Sequence, residues 1–218
     1  GSFGDQVAEV RSKIALVPYG GYGRREMAPY SDVDLMLLHA PGALSLITPL
    51  AQRLVRDLSD TGLKLGFSVR TVRDACRLAA RDAVIFCSLV DCRFLGGSVG
   101  LFTHFAKAFP RMARWRSATL VEMIEGARSE ECAKYGEAGD TVYLLEPNVK
   151  RSPGGLRDLQ LLRWIGFARY GIASPEVLRR AGHLSGEDYR SLRRAQEYLL
   201  RLRNELHFHA QAAADVLV

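Results

Sequence analysis

The chain has 218 residues, 48% of them hydrophobic, 25% charged and 9% aromatic, a globular composition long enough for one large domain or two small ones. No apolar run approaches the roughly 20 residues of a membrane span, and the charged stretch Asp5–Lys13 stands where a secretory signal needs its apolar core. The formal charge of +6 favours anionic ligands only weakly, because Arg179, Arg180, Arg193, Arg194, Arg201 and Arg203 fall on predicted helices and read as solvated faces.

The leading Gly-Ser is set aside as a cloning remnant, and Asp5–Lys13 reads as the end of a helix. Ile14–Pro18 is predicted as a strand, followed by glycines at 20, 21 and 23 that turn the chain into a brief helix. Val33–Leu38 has the apolar density of a strand buried on both faces. Ala43–Leu58 is predicted helical. Leu63–Arg70 alternates Leu63, Leu65, Phe67 and Val69 with Lys64, Gly66, Ser68 and Arg70, the period of a strand. Thr71 to Asp74 has the form of a capping box, opening helical sequence to Tyr135 with breaks at Gly96-Gly97 and near Pro110. Val142–Leu145 is a further predicted strand and Pro147–Gly155 a loop. Three helices close the chain: Leu156–Tyr170, with Leu156, Leu159, Leu162 and Ile165 on one face, one capped at Ser174-Pro175, and Ser185–Ala210, with Leu192, Ala195, Leu199, Leu202 and Leu206 together. The ending "ADVLV" carries no stop signal and is expected to belong to a longer chain. Cys76, Cys87, Cys92 and Cys132 show no CxxC spacing, so free thiols and a cytoplasmic setting are expected.

The stretch Gly20–Leu38, "GGYGRREMAPYSDVDLMLL", concentrates the chemistry. Asp32 and Asp34 are two apart, so on a strand both carboxylates emerge on one face. Side by side they repel unless a cation lies between them, and hard oxygen ligands suit Mg²⁺. Gly20 and Gly21 run into a helix start whose backbone N–H groups suit phosphate oxygens, and Ser31 adds a hydroxyl. The combination is expected to bind a metal–nucleoside triphosphate. A lone DxD or a lone Gly-Gly is ordinarily a solvated turn; here strand, glycine turn, spacer, DxD and strand occur in series.

These residues resemble the signature of the DNA polymerase β-like nucleotidyltransferases. The wording GGYGR-x-E-x-x-P-x-SD-x-DL is most similar to the bacterial PII uridylyltransferase/uridylyl-removing enzymes. "LLEPNVKRSPGGLRDLQLLRWIGFARYG" (Leu144–Gly171), "GLKLGFSVRTVRDA" and "RLRNELHFHA" resemble later blocks of the same family, so the likeness spans nearly the whole chain. The chain departs from the family at Phe67, where His is usual, and at Arg151, where an acid is common.

The resemblance implies an α/β (α+β) fold: a small mixed-sheet nucleotidyltransferase core with helical insertions over residues 1–150, then an all-helical domain over 151–218. It implies transfer of UMP from UTP to a tyrosine of the PII nitrogen-signalling protein, with Mg²⁺ or Mn²⁺. Asp32 and Asp34 would hold the metal, and Gly20, Gly21, Arg24 and Ser31 the nucleotide. In the second block, Lys150, Arg151 and Arg157 beside the helix starting near Gly155 form a further candidate anion site, with Lys150 and Arg157 assigned to the nucleotide. Asp158 is expected to stabilise that helix start and pair with Arg157. The resemblance also implies a third carboxylate, as catalytic base or ligand; Leu63–Arg70 contains no Asp or Glu, which leaves Glu146 as the candidate.

Other conspicuous residues are assigned no chemistry. His207 and His209 point to different helix faces, Trp115 and Trp164 read as core, and Cys87 and Cys92 as small core residues. Two rivals remain open: the same core serving another protein or RNA, although no aromatic-basic RNA motif appears, and a nucleotide-binding regulatory module without turnover.

Overall fold

The computed structural model describes residues 3–136 and 146–217. Contacts divide the chain into two compact units, one of Gly1–Met27 with Asp32–Met112, the other of Ala28–Ser31 with Ala113–Val218. This division falls earlier in the chain than the position 150 expected from the sequence.

The first unit begins with α1 (Phe3–Lys13) and is built on a four-stranded mixed sheet. Its strands are β1 (Ile14–Pro18), β2 (Val33–His39), β3 (Leu65–Thr71) and the short β4 (Gly96–Gly97), in the order β3-β2-β1-β4. β1 runs antiparallel to β2 and β4, whereas β2 and β3 are parallel. A parallel pair needs a crossover, and α3 (Leu44–Ser59) supplies it. Ile47 and Ala51 of that helix pack with Leu37, Ile14, Leu16, Phe67 and Val69 on one sheet face. Strand alternation puts Ala15, Val17, Met36 and Leu38, all fully buried, on the other.

Two helices follow β3. α4 (Val72–Ala79) is capped by Thr71, whose hydroxyl accepts from the Asp74 N–H at 3.1 Å, as the capping box predicts. α5 (Ala83–Val90) is capped by Asp82 and buries Phe86 and Leu89. Phe86 meets Phe109 with ring centroids 5.4 Å apart.

Two expected breaks take other forms. Gly96-Gly97 is an edge strand: Gly97 lies opposite Ala15 at φ +96, and a Cβ there would collide with the Ile14 carbonyl. Pro110 does not end its helix, because α6 (Val99–Trp115) continues through it. Phe105, Phe109 and Ala113, four apart, are all buried, and that apolar stripe outweighs the one hydrogen bond that proline removes. Trp115, expected in the core, is 82% exposed at the end of α6.

The second unit contains α7 (Ser117–Gly136), α8 (Leu156–Tyr170), α9 (Pro175–Arg180) and α10 (Gly186–Ala210). The predicted strand Val142–Leu145 lies outside the described residues. α8 buries Leu156, Gln160, Trp164 and Ala168, a line rotated from the predicted leucine face. α10 differs more. Its leucines are only half-buried and Ala195 is exposed; the buried residues are Arg203 and His207. Residues 215–217 are paired with the loop before α8: Val216 bridges to Asn148, the Val149 N–H donates to Asp215 O at 2.7 Å, and the Leu217 N–H to Pro147 O at 3.0 Å.

Candidate active site

In the first unit, β1 ends at Pro18 and Tyr19 turns the chain out of the sheet, its N–H donating to Asp34 O at 3.1 Å. Gly20 follows at φ +55, a left-handed conformation that suits glycine, and opens α2 (Gly20–Arg24). No side chain caps this helix at Tyr19. Asp34, the second residue of β2, lies opposite Gly66 of β3.

The two glycines form a cradle. A Cβ on Gly20 would come within 2.8 Å of Asp34 Oδ2, and one on Gly66 would collide with Oδ1. Any side chain at either position would displace the carboxylate. Gly21, by contrast, is open: a Cβ there meets nothing within 4 Å. Asp32 stands exposed just before β2. Two hard carboxylates, one of them held in a slot shaped by glycine backbone, fit a divalent cation such as Mg²⁺ that also takes phosphate and water oxygens. Among the described residues no third carboxylate, histidine or cysteine gathers into a metal-binding group.

Tyr19 lies beside this slot. Burial and then the Asp34 carboxylate push its hydroxyl pKa above the ordinary value, with the charge of Arg70 acting in the opposite direction. Tyr19 therefore keeps its proton at neutral pH.

Arg24 is placed in a buried ion-pair cluster. Its Nε meets Glu26 at 2.7 Å and its Nη1 meets Asp91 at 2.7 Å, and the Asp91 side chain is fully buried. Burial disfavours the charged guanidinium, but the two carboxylates outweigh that and raise its pKa. The contact ties α2 to the end of α5. Burial pushes the thiols of Cys76 and Cys92 up to about 11 and about 12, so both stay protonated and neither is an activated nucleophile.

The second block belongs to the second unit. Asn148 Oδ1 accepts from the N–H groups of Lys150 and Arg151, shaping the loop before α8. The first turn of α8 does not offer its backbone to an anion. The Leu156 N–H donates to Val149 O and the Arg157 N–H to Lys150 O, at 3.0 and 2.9 Å. Any anion site here therefore rests on side chains. Asp158 pairs with Arg128 of α7 at 2.6 Å, not with Arg157 as the sequence suggested, and also accepts from the Gly154 N–H. Arg157 instead meets Glu131 at 3.3 Å and stacks over Trp164. Arg151 lies 3.7 Å from the same Glu131. Glu146 is exposed at the edge of the described residues.

Lys150 is half-buried, 4.0 Å from Asp215. Burial, with the neighbouring charge of Arg203, lowers its pKa to about 8. Asp215 moves down: burial raises its carboxyl, but hydrogen bonds from Arg203 and His207 outweigh it. Ser31 Oγ accepts from Arg203 Nη2 at 3.3 Å. Sequence reasoning missed Gly66, Asp91, Arg203, His207 and Asp215. Only Gly66 carried a local signal, since a glycine inside a strand marks close backbone or ligand approach.

The family described as GlnD PII-uridylyltransferase matches residues 122–218. A bifunctional uridylyltransferase/uridylyl-removing enzyme of Cereibacter sphaeroides is 38% identical over 212 residues, covering 94% of this chain and 22% of its own length. Those of Burkholderia orbicola and Burkholderia mallei are 37% and 38% identical, each covering 94% of this chain and 23% of their own length. The chain belongs to the PII-uridylyltransferase family. It spans less than a quarter of the length of these curated relatives. The aligned region takes in both the glycine–DxD stretch and the loop before α8. No described helix is long and apolar enough to cross a membrane.

Proposed function

We propose that the chain is the nucleotidyltransferase part of a cytoplasmic enzyme that moves UMP from UTP to a tyrosine of the PII signalling protein. The observation that carries this reading is the Asp34 carboxylate held between Gly20 and Gly66, in a chain of uridylyltransferase descent. Asp32 and Asp34 would hold Mg²⁺ or Mn²⁺, which when bound supplies charge neutralisation at the phosphate under attack. In the first unit, Gly20 and the open Gly21 backbone are the residues proposed for the triphosphate; in the second, Ser31, Lys150 and Arg157 are. Arg24 contributes by fixing α2.

The acceptor hydroxyl attacks the α-phosphorus, the bond to the β,γ-pyrophosphate breaks, and the hydroxyl proton must leave. A tyrosine hydroxyl ionises near pH ~10 and so needs a base. Glu146 is the residue proposed for it. Mass spectrometry of PII protein incubated with the full-length enzyme, UTP and Mg²⁺ tests the reading. One UMP per modified tyrosine supports it; an unmodified PII beside labelled RNA or another labelled protein rejects the substrate.

A further inference from the structure

Arg203 and His207 are four apart on α10, so they share one helix face, and both are buried, His207 completely. A helix seldom buries an arginine and a histidine where leucines would pack more cheaply. Both lead to the same short segment, residues 28–31. Arg203 Nη2 donates to Ser31 Oγ, and His207 Nδ1 lies in hydrogen-bond contact with the Pro29 carbonyl. Behind them stands Asp215. Its Oδ1 accepts from Arg203 Nε at 2.6 Å and lies 3.0 Å from His207 Nε2. Its Oδ2 lies 4.0 Å from Lys150 Nζ. The carboxylate is itself anchored, because the Asp215 carbonyl accepts from the Val149 N–H.

The held segment begins at Ala28, which is buried. Ser31 N–H donates to Ala28 O at 3.1 Å, and Tyr30 sits at φ +62, a left-handed conformation that a residue other than glycine keeps only when its surroundings impose it. Its next residue in the chain is Asp32.

We infer that Asp215 is a hub whose carboxylate, through Arg203 and His207 on one side and Lys150 on the other, positions Ser31 and Lys150 together for the triphosphate. Arg203, His207 and Asp215 are positioning residues; none needs to touch the nucleotide. The inference rests on the nucleotide roles proposed above for Ser31 and Lys150.

The test uses the full-length protein with Asp215→Asn, Arg203→Gln and Ser31→Ala. Asp215→Asn and Arg203→Gln should raise KM for UTP about tenfold, with kcat per folded molecule changed less than about threefold, the loss of one charge-assisted hydrogen bond. In a Ser31→Ala background, Arg203→Gln should add little to KM. Backbone hydrogen exchange of residues 28–34 should quicken about tenfold in both hub variants, while that of residues 35–38 stays as in the unsubstituted protein. Unchanged KM together with unchanged exchange in folded Arg203→Gln protein overturns the inference. So does a fall in kcat alone, which marks a merely structural part. If Asp215→Asn does not fold, the Arg203→Gln and Ser31→Ala pair decides the matter alone. Normal turnover by an Asp34→Asn control would instead remove the active-site reading, and the exchange measurement would still judge the hub.

Discussion

The chemistry at the residue scale turns on how little room Asp34 has. Gly66→Ala should push its carboxylate out of line and reduce transfer by orders of magnitude, with a modest loss of stability measurable by denaturant titration. Asp34→Asn keeps the volume and removes the charge, so it should abolish transfer in a protein with an unchanged melting temperature. Gly21→Val faces open space, so it should weaken UTP binding by calorimetry and leave the fold intact, because the β-branched side chain would stand where phosphate approaches. Equal affinity in that variant would make the turn purely structural.

Lys150 adds a pH dependence. Its pKa in the folded protein is about 8, below the ordinary lysine value of 10.5, so it loses its proton as the pH rises through 8. An anionic ligand favours the charged form. Triphosphate affinity should therefore be full below pH 8 and weaken above it, at most about tenfold per pH unit. For folding the sign is the reverse: the charge penalty is present below pH 8 and is relieved between there and the unfolded value, so this residue's contribution to stability rises over that window. Lys150→Arg, which keeps its charge, should flatten the affinity profile. Glu146→Gln should lower the rate and spare UTP affinity if Glu146 is the base; a loss of stability with an unchanged rate would assign it to the loop.

Elements hold these residues in place. α2 carries the glycine turn, and its link to α5 is the buried Arg24–Asp91 pair. Asp91→Ala would leave a guanidinium buried without this partner and should cost about 3–5 kcal/mol by chemical denaturation. A cost below about 1 kcal/mol would show that solvent reaches the site. The elements also show what the sequence could and could not reveal. β1 and α8 were legible to the residue, because apolar runs there are bounded by glycine, proline or a cap. Asp34 was legible as a strand residue because Val33–Leu38 has the apolar density of a buried strand, and Asp32 stands exposed one residue before β2 begins. The second half of the slot was not, since Gly66 joins Asp34 only through the register of a parallel pair, which no local pattern specifies. α10 misled for a related reason: periodicity ranks leucine above arginine for burial, whereas buried Arg203 donates to Asp215 and Ser31, and buried His207 lies in hydrogen-bond contact with the Pro29 carbonyl and Asp215.

On the scale of the whole molecule, the sheet unit holds the Asp34 carboxylate in a glycine slot, and the helical unit carries Lys150 and Arg151 on the loop before α8. The +6 charge is accordingly not all solvated surface, for the side chains of Arg24, Arg128 and Arg203 are themselves largely buried and paired with carboxylates. The curated relatives are more than four times as long as the region matched here, so activity is best measured on the full-length enzyme. The most direct measurement follows the mass of purified PII protein with UTP and Mg²⁺, comparing the unsubstituted enzyme with Asp34→Asn. The account predicts one added UMP per tyrosine with the first and none with the second. An equal mass gain with both, or none with an enzyme that labels a different acceptor, would contradict it.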